Sequence, residues 1–290
     1  MASVAGRGDP PHYGRRRLLA AGAVAAVGAA LGYGVDALAG GSGPPAPARA
    51  RRPPHGLVSG RFHSVRRRRE VGWTVSYPAG WLPGDGVPLC LVLHGFGDDH
   101  RSAFDALALQ DPQAALARAR PARPLVLAAA DGGDGYWHRR ADGDDPQGML
   151  MEEFLPLLAL SGVVTDHLVA FGWSMGGYGS LLLAETYPGR IRRVGAESPA
   201  IWPSFAASQD ANPGAFDSAA DWRAHDVVGH CAALAGTPVR VDCGIADSFA
   251  PAARQLASLL PRGDVVLSPG AHTDAFWRTW APAQLSFLSG

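Results

Sequence analysis

Leu168-Val169-Ala170-Phe171-Gly172-Trp173-Ser174-Met175-Gly176-Gly177-Tyr178-Gly179-Ser180-Leu181-Leu182-Leu183-Ala184 is the stretch whose reading decides the fold. Residues 168–171 form an apolar run and residues 181–184 open an amphipathic helix, so the Gly-rich segment between them predicts a tight turn from strand to helix. In that setting Gly-x-Ser-x-Gly reads as an elbow that holds a serine up at a strand's end. Strand and helix pass close on both sides of such a turn, and neighbours without a Cβ atom let them do so. The chain has 37 glycines, so the pentapeptide carries weight only because a strand and a helix flank it.

Outward from the elbow, strands and helices alternate. Residues 57–65 and 71–77 predict a hairpin whose turn is Arg66-Arg67-Arg68-Arg69, read as a solvated basic turn rather than an anion-binding patch. Residues 89–93 and 125–129 are apolar runs of the buried-strand kind, separated by a helical stretch at 103–119 that Pro112 must interrupt. A polar, Gly-rich loop at 131–147 leads to a helix at 149–160, where Glu152-Glu153 suits the first turn. Strands follow at 191–196, 239–243 and 265–267, and helices at 251–260 and 273–288. This rhythm predicts an α/β fold, with a mostly parallel central sheet flanked by helices on both faces and an N-terminal antiparallel hairpin. Ligands gather at the C-terminal strand ends of such sheets. Residues 199–228 break the rhythm with Pro203, Pro213 and several aromatics, and read either as a small lid-like insertion over that rim or as a plain surface loop.

Residues 56–290 suffice for a single domain. A formal net charge of zero argues against a nucleic-acid partner, which usually demands a basic excess. Residues 1–39 read as an export signal: Arg15-Arg16-Arg17 stands before a weakly apolar Ala/Gly run and resembles a twin-arginine leader. An uncleaved anchor is the rival reading, although Ala and Gly supply little transfer energy and stable membrane insertion is not expected after cleavage. Residues 40–55, rich in Pro, Ala and Arg, read as a flexible linker. Of the three cysteines, Cys90 lies in an apolar strand, while Cys231 and Cys243 are either a disulfide pair or separate thiols. No His-Glu-x-x-His or Cys-x-x-Cys is present, His94 and His100 lack a partner at ligand spacing, and Asp142, Asp144 and Asp145 do not make a calcium loop, so no metal is expected.

Ser174 alone is a poor nucleophile and needs a base and a carboxylate to orient that base. Asp247 falls just past the strand at 239–243, whereas Asp242 lies inside it and points elsewhere. His272 follows the next strand in Gly270-Ala271-His272. Ser, Asp and His in this order at strand ends match the α/β-hydrolase arrangement. Charge developing on a carbonyl oxygen would be met by the Met175 N–H and by an N–H of His94-Gly95-Phe96-Gly97, best that of Phe96. His94 reads as a histidine that organises this loop rather than a second base.

These segments, together with Asp131-Gly132-Gly133 and Tyr136-Trp137-His138, resemble the esterase D and antigen 85 branch of the α/β hydrolases over residues 56–290. The resemblance implies a serine carboxylesterase that needs no cofactor: Ser174 nucleophile, His272 base, Asp247 orienter, and oxyanion donors at Phe96 and Met175. It implies a small-molecule, polysaccharide or lipid ester as substrate, and the export signal predicts a secreted or cell-envelope location. The elbow's Met-Gly-Gly-Tyr-Gly is nearer the esterase than the mycolyltransferase pattern, yet a sugar or lipid alcohol stays open as acceptor. A non-catalytic envelope binding protein on the same fold is the reading of another class. Gly95, Trp137, His138 and Trp173 are the candidate substrate contacts, and for Trp137 and His138 the alternative is that they pack their loop down.

Overall fold

The computed structural model describes residues 56–121, 123–260 and 262–290. The predicted export signal and linker, 1–39 and 40–55, lie outside the described residues. Among those residues no helix is long and apolar enough to cross a membrane.

The chain begins with the hairpin of β1 (Gly56–Ser64) and β2 (Arg69–Tyr77), paired antiparallel from Gly56 opposite Tyr77 to Ser64 opposite Arg69. Next come β3 (Leu89–Leu93), the short α1 (Ser102–Asp105), α2 (Gln110–Ala119) and β4 (Val126–Ala130). One continuous helical segment then runs through α3 (Pro146–Met149), a wider π turn (Leu150–Phe154) and α4 (Leu155–Leu160). β5 (Leu168–Trp173), α5 (Met175–Thr186) and β6 (Ile191–Glu197) carry the elbow. The insertion holds α6 (Phe205–Ala211) and α7 (Ala219–Ala224), followed by a 3-10 turn at Cys231–Leu234. The chain closes with β7 (Val239–Gly244), α8 (Ala250–Leu259), β8 (Gly263–Ser268) and α9 (Asp274–Leu288).

The eight strands form one sheet in the order β1-β2-β4-β3-β5-β6-β7-β8. β2 runs antiparallel to β4, and every pair from β4 to β8 is parallel. Parallel strands need both faces covered, and the side-chain alternation shows how. Leu89, Leu91 and Leu93 enter one apolar cluster with Leu181, Leu183 and Leu256, while Cys90 and Val92 enter the other with Phe104, Leu116 and Leu285. The first face is therefore covered by α5, α8 and the π-turn segment, and the second by α1, α2 and α9.

Three local expectations are corrected. The helix expected over 103–119 breaks not at Pro112 but at Ala108, which takes a φ of 52°. Pro112 then sits in the first turn of α2, where its missing N–H has no intrahelical acceptor to lose. Glu152 and Glu153 are not in a first turn, because the helix already starts at Pro146 with the Asp145 carboxylate accepting from the Gly148 N–H at 2.8 Å. They fall in the π turn, where Glu153 accepts from the Val65 and Arg66 N–H groups at 2.9 and 3.0 Å and so seals the hairpin turn.

The basic turn is not wholly solvated. Arg67 is only 3% exposed and donates from Nε and Nη2 to the two Asp144 oxygens at 2.8 Å each, with Nη1 donating to the Asp131 carbonyl. The acidic cluster is thereby accounted for: Asp144 pairs with Arg67, Asp145 caps α3, and Asp142 accepts from the Asp144 N–H. Cys90, Cys231 and Cys243 are all buried free thiols in this structure, with no Cys231–Cys243 bond. Cys231 and Cys243 serve as small hydrophobes of the first cluster, and burial pushes the Cys243 thiol up to about 12.

Removing one member of a buried ion pair strands the other, at a cost of about 3–5 kcal/mol. Arg67→Met is expected to lose that much in urea unfolding, whereas Arg68→Met, on the exposed side of the turn, shifts stability by no more than about 0.5 kcal/mol. Titration of denatured, unreduced protein with a thiol reagent is expected to find every cysteine free.

Candidate active site

Ser174 stands between β5 and α5 with φ 54° and ψ −121°, a backbone geometry that side chains rarely accept. It is held there from both neighbours. Its N–H donates to the Glu197 carbonyl at 2.9 Å, and its own carbonyl accepts from Ala200 and Tyr178 at 2.9 and 3.1 Å. The glycines are a packing requirement: a Cβ on Gly176 would lie 1.9 Å from the Leu93 carbonyl oxygen, and one on Gly172 would lie 2.2 Å from the Gly176 carbonyl oxygen.

The strand ends bring the predicted partners to this serine. His272 Nε2 lies 2.8 Å from Ser174 Oγ, and its Nδ1 lies 2.9 Å from Asp247 Oδ2. The carboxylate needs Nδ1 to carry a proton, which leaves the Nε2 lone pair facing the hydroxyl. Asp247 is 4% exposed, and its other oxygen accepts from the Phe249 N–H at 2.9 Å. Burial alone would raise this carboxyl, but the bonds from His272 and Phe249 outweigh it and hold Asp247 below the ordinary carboxylate range. The imidazole is gripped between the rings of Phe249 and Trp277, at 5.3 and 5.0 Å between centroids. Asp242 is engaged elsewhere, as its place inside β7 predicts: Arg240 binds both its oxygens at 2.7 and 2.9 Å, and Gln284 adds a third bond at 2.7 Å.

The loop after β3 is braced from several directions. His94 is buried, its Nδ1–H donates to the Gly95 carbonyl at 2.8 Å, and its Nε2 accepts from the Gly132 N–H at 2.9 Å. An amide can only donate, so Nε2 is unprotonated and the ring is neutral; burial lowers its pKa accordingly. The Gly97 N–H donates to Asp134 at 2.7 Å. Among the described residues, neither the Phe96 nor the Met175 N–H is taken by a protein acceptor, which leaves both donors available at the rim.

The candidate substrate contacts have a different placement. Trp137 is fully enclosed and donates its indole N–H to the His94 carbonyl at 3.1 Å. Trp173, 1% exposed, donates to Asp98 at 3.0 Å, and Gly95 is wedged against both that carboxylate and the Trp173 ring. Gly95, Trp137 and Trp173 therefore hold the loop from behind instead of lining an open pocket. His138 is 1% exposed and turned toward Asp221 beneath the insertion. Large apolar side chains left open to solvent on these loops include Phe96 and Ile245, each 54% exposed. Sequence reasoning missed Phe249 and Trp277, which carry no motif, and Glu197, a fully enclosed carboxyl whose pKa burial and nearby Asp242 raise well above the ordinary carboxylate range.

The model of the family described as "Putative esterase" matches residues 64–280. The chain belongs to this esterase family. It is accordingly a serine hydrolase of carboxylic esters. Among solved structures, a ferulic acid esterase superposes with a TM-score of 0.69 at 18% identity, covering 80% of this chain and 97% of its own. An S-formylglutathione hydrolase of Agrobacterium tumefaciens gives 0.66 at 16%, covering 80% and 94%. MPT51 of Mycobacterium tuberculosis gives 0.60 at 19%, covering 80% and 98%. At these identities the likeness is one of fold, the α/β-hydrolase fold. Among curated proteins no sequence matches significantly.

The two carboxylates at the end of β7 separate cleanly by experiment. Asp247→Asn is expected to lower ester turnover on the order of 10³–10⁴-fold, because the imidazole loses its orienting acceptor. Asp242→Asn, which unpairs Arg240, is expected to lower the melting temperature while leaving most of the turnover of p-nitrophenyl acetate by folded enzyme.

Proposed function

We propose that this esterase is an exported carboxylesterase that cleaves its substrate through an acyl-enzyme on Ser174. The observation that carries the reading is the unbroken chain Asp247–His272–Ser174, with links of 2.9 and 2.8 Å. Ser174 Oγ attacks the ester carbonyl while His272 Nε2 takes its proton, and the tetrahedral oxyanion is met by the Phe96 and Met175 N–H groups. The C–O bond to the alcohol then breaks and His272 returns the proton to the departing oxygen. Water attacks the acyl-enzyme with the same histidine as base, and the acid and free serine are restored.

Support for water as acceptor is the Met-Gly-Gly-Tyr-Gly elbow, which is nearer the esterase pattern than the mycolyltransferase one. Export rests on Arg15-Arg16-Arg17 before the weakly apolar run, in the manner of a twin-arginine leader. A cavity of about 260 Å³ opens beside Trp202, between the insertion and α8, and is lined by Ile201, Val228, Pro251 and Ala252. Asp226, Ser248 and Gln255 add polar groups to its wall.

A fluorophosphonate probe is expected to label Ser174 in folded protein and to leave Ser174→Ala and His272→Ala unlabelled. Absence of labelling in the wild type would falsify the acyl-enzyme reading and favour a binding protein. During turnover of p-nitrophenyl esters of graded chain length with added glycerol or trehalose, free acid is the expected product. A transesterified product would reassign the protein as an acyltransferase.

A further inference from the structure

Beneath the insertion, away from the Ser174 centre, the side chains of His138, Asp221 and His225 converge so that their ligand atoms all lie within 4.8 Å of one another. His138 comes from the loop after β4, whereas Asp221 lies on α7 and His225 caps its end. His138 Nε2 is 3.0 Å from Asp221 Oδ2, and His225 Nδ1 is 3.1 Å from Asp221 Oδ1 and donates to the Asp221 carbonyl at 2.9 Å, a bond that an ion would replace by displacing the Nδ1 proton. The two imidazoles overlap with centroids 4.3 Å apart.

We propose that His138, Asp221 and His225 bind a divalent transition-metal ion of the zinc type. The donor set is two imidazoles and one carboxylate, which suits borderline ions and leaves a fourth position open to water. The orientation of His138 argues for a ligand. Its Nδ1 lies 3.2 Å from the Tyr136 carbonyl, the second bond that fixes a metal-binding imidazole with the opposite nitrogen free. With Nδ1–H so used, Nε2 faces a carboxylate oxygen, and the contact is attractive only when a proton or a metal ion lies between them. Asp221 presents one carboxylate oxygen to each imidazole.

Charge does not forbid the ion. Arg140 lies 3.4 Å from His138 Nε2, but its guanidinium is held by Asp217 at 2.7 Å and by the Ala215 carbonyl at 2.6 Å. With neutral imidazoles, the carboxylates of Asp217 and Asp221 balance the guanidiniums of Arg139 and Arg140 that wall the same cavity, so a divalent ion enters a site with no net positive charge. A cavity of about 390 Å³, walled in part by Asp221, His225 and Arg139, connects the cluster to solvent. A bound ion would tie the insertion to the loop that carries Trp137.

Untagged full-length protein, stripped with chelator, is titrated with Zn²⁺ against a chromophoric chelator, and with Co²⁺ while visible d–d absorption is recorded. The expected result is saturable binding of one ion per chain at micromolar metal, with a Co²⁺ spectrum showing nitrogen ligation. His225→Gln and Asp221→Asn are expected to weaken binding beyond the roughly 10–100-fold typical of an outer-shell change, with far-UV circular dichroism unchanged. Failure of the wild type to bind saturably, a spectrum of all-oxygen ligation, or undiminished binding by both variants overturns the site. If one variant does not fold, the wild-type spectrum and the other variant still decide. None of these readouts depends on ester turnover.

Discussion

The backbone of α5 passes so close to the end of β3 that the space left at Gly176 does not admit a methyl group. That contact governs the site. β3 and β5 are neighbours in the sheet with Leu93 opposite Gly172, so the same approach that forces Ser174 to a positive φ also sets how far the serine stands from the loop beginning at His94. A looser packing would relax the strain at Ser174 and separate the proposed nucleophile from the Phe96 N–H in one movement. Strain here is part of a fixed geometry, held by the Glu197 carbonyl on one side and by Ala200 on the other.

What surrounds the serine is correspondingly rigid. The loop at 94–98 is clasped by a neutral histidine, two buried indoles and the Asp134 carboxylate, and this fixes its N–H groups before any substrate arrives. Donors that need no reorganisation at the moment of reaction are the most effective electrostatic aid an enzyme can offer. His272 is likewise confined by Phe249 and Trp277, so its imidazole holds the line between Asp247 and Ser174 without help from substrate.

The sheet, the elbow and the Ser-Asp-His order were legible because each rests on local signals: apolar runs of strand length, glycines where backbones touch, and loops that follow strands. The distinction between Asp242 and Asp247 was legible for the same reason, since one falls inside a strand and the other beyond its end. Side-chain destinations set by distant neighbours were not. Arg67 looks like any arginine of a charged turn until Asp144, from the loop after β4, folds over it. Trp137 and Trp173 flank the right segments for substrate contact, but nothing local tells an indole that faces the pocket from one that faces the core. The start of α3 was hidden too, because its cap and proline sit inside a run of polar loop residues. The cluster of His138, Asp221 and His225 was invisible in sequence, as its members are brought together only when the insertion closes on the loop.

Trp137 also constrains which neighbouring sequences are possible. A Cβ on Gly132 would lie 2.3 Å from its ring and one on Gly179 would lie 2.6 Å from it, so one indole obliges two other positions, on separate elements, to stay bare. The three sites form an epistatic set. Alanine at 132 is barred while the tryptophan is present and becomes admissible once a smaller residue replaces it, whereas a Cβ at 179 would also lie 2.7 Å from the Cβ of residue 137 and so demands glycine there. The order of substitutions therefore matters: the path to a reshaped loop behind the proposed oxyanion donors must pass first through position 137, and through a void there that position 132 can fill afterwards.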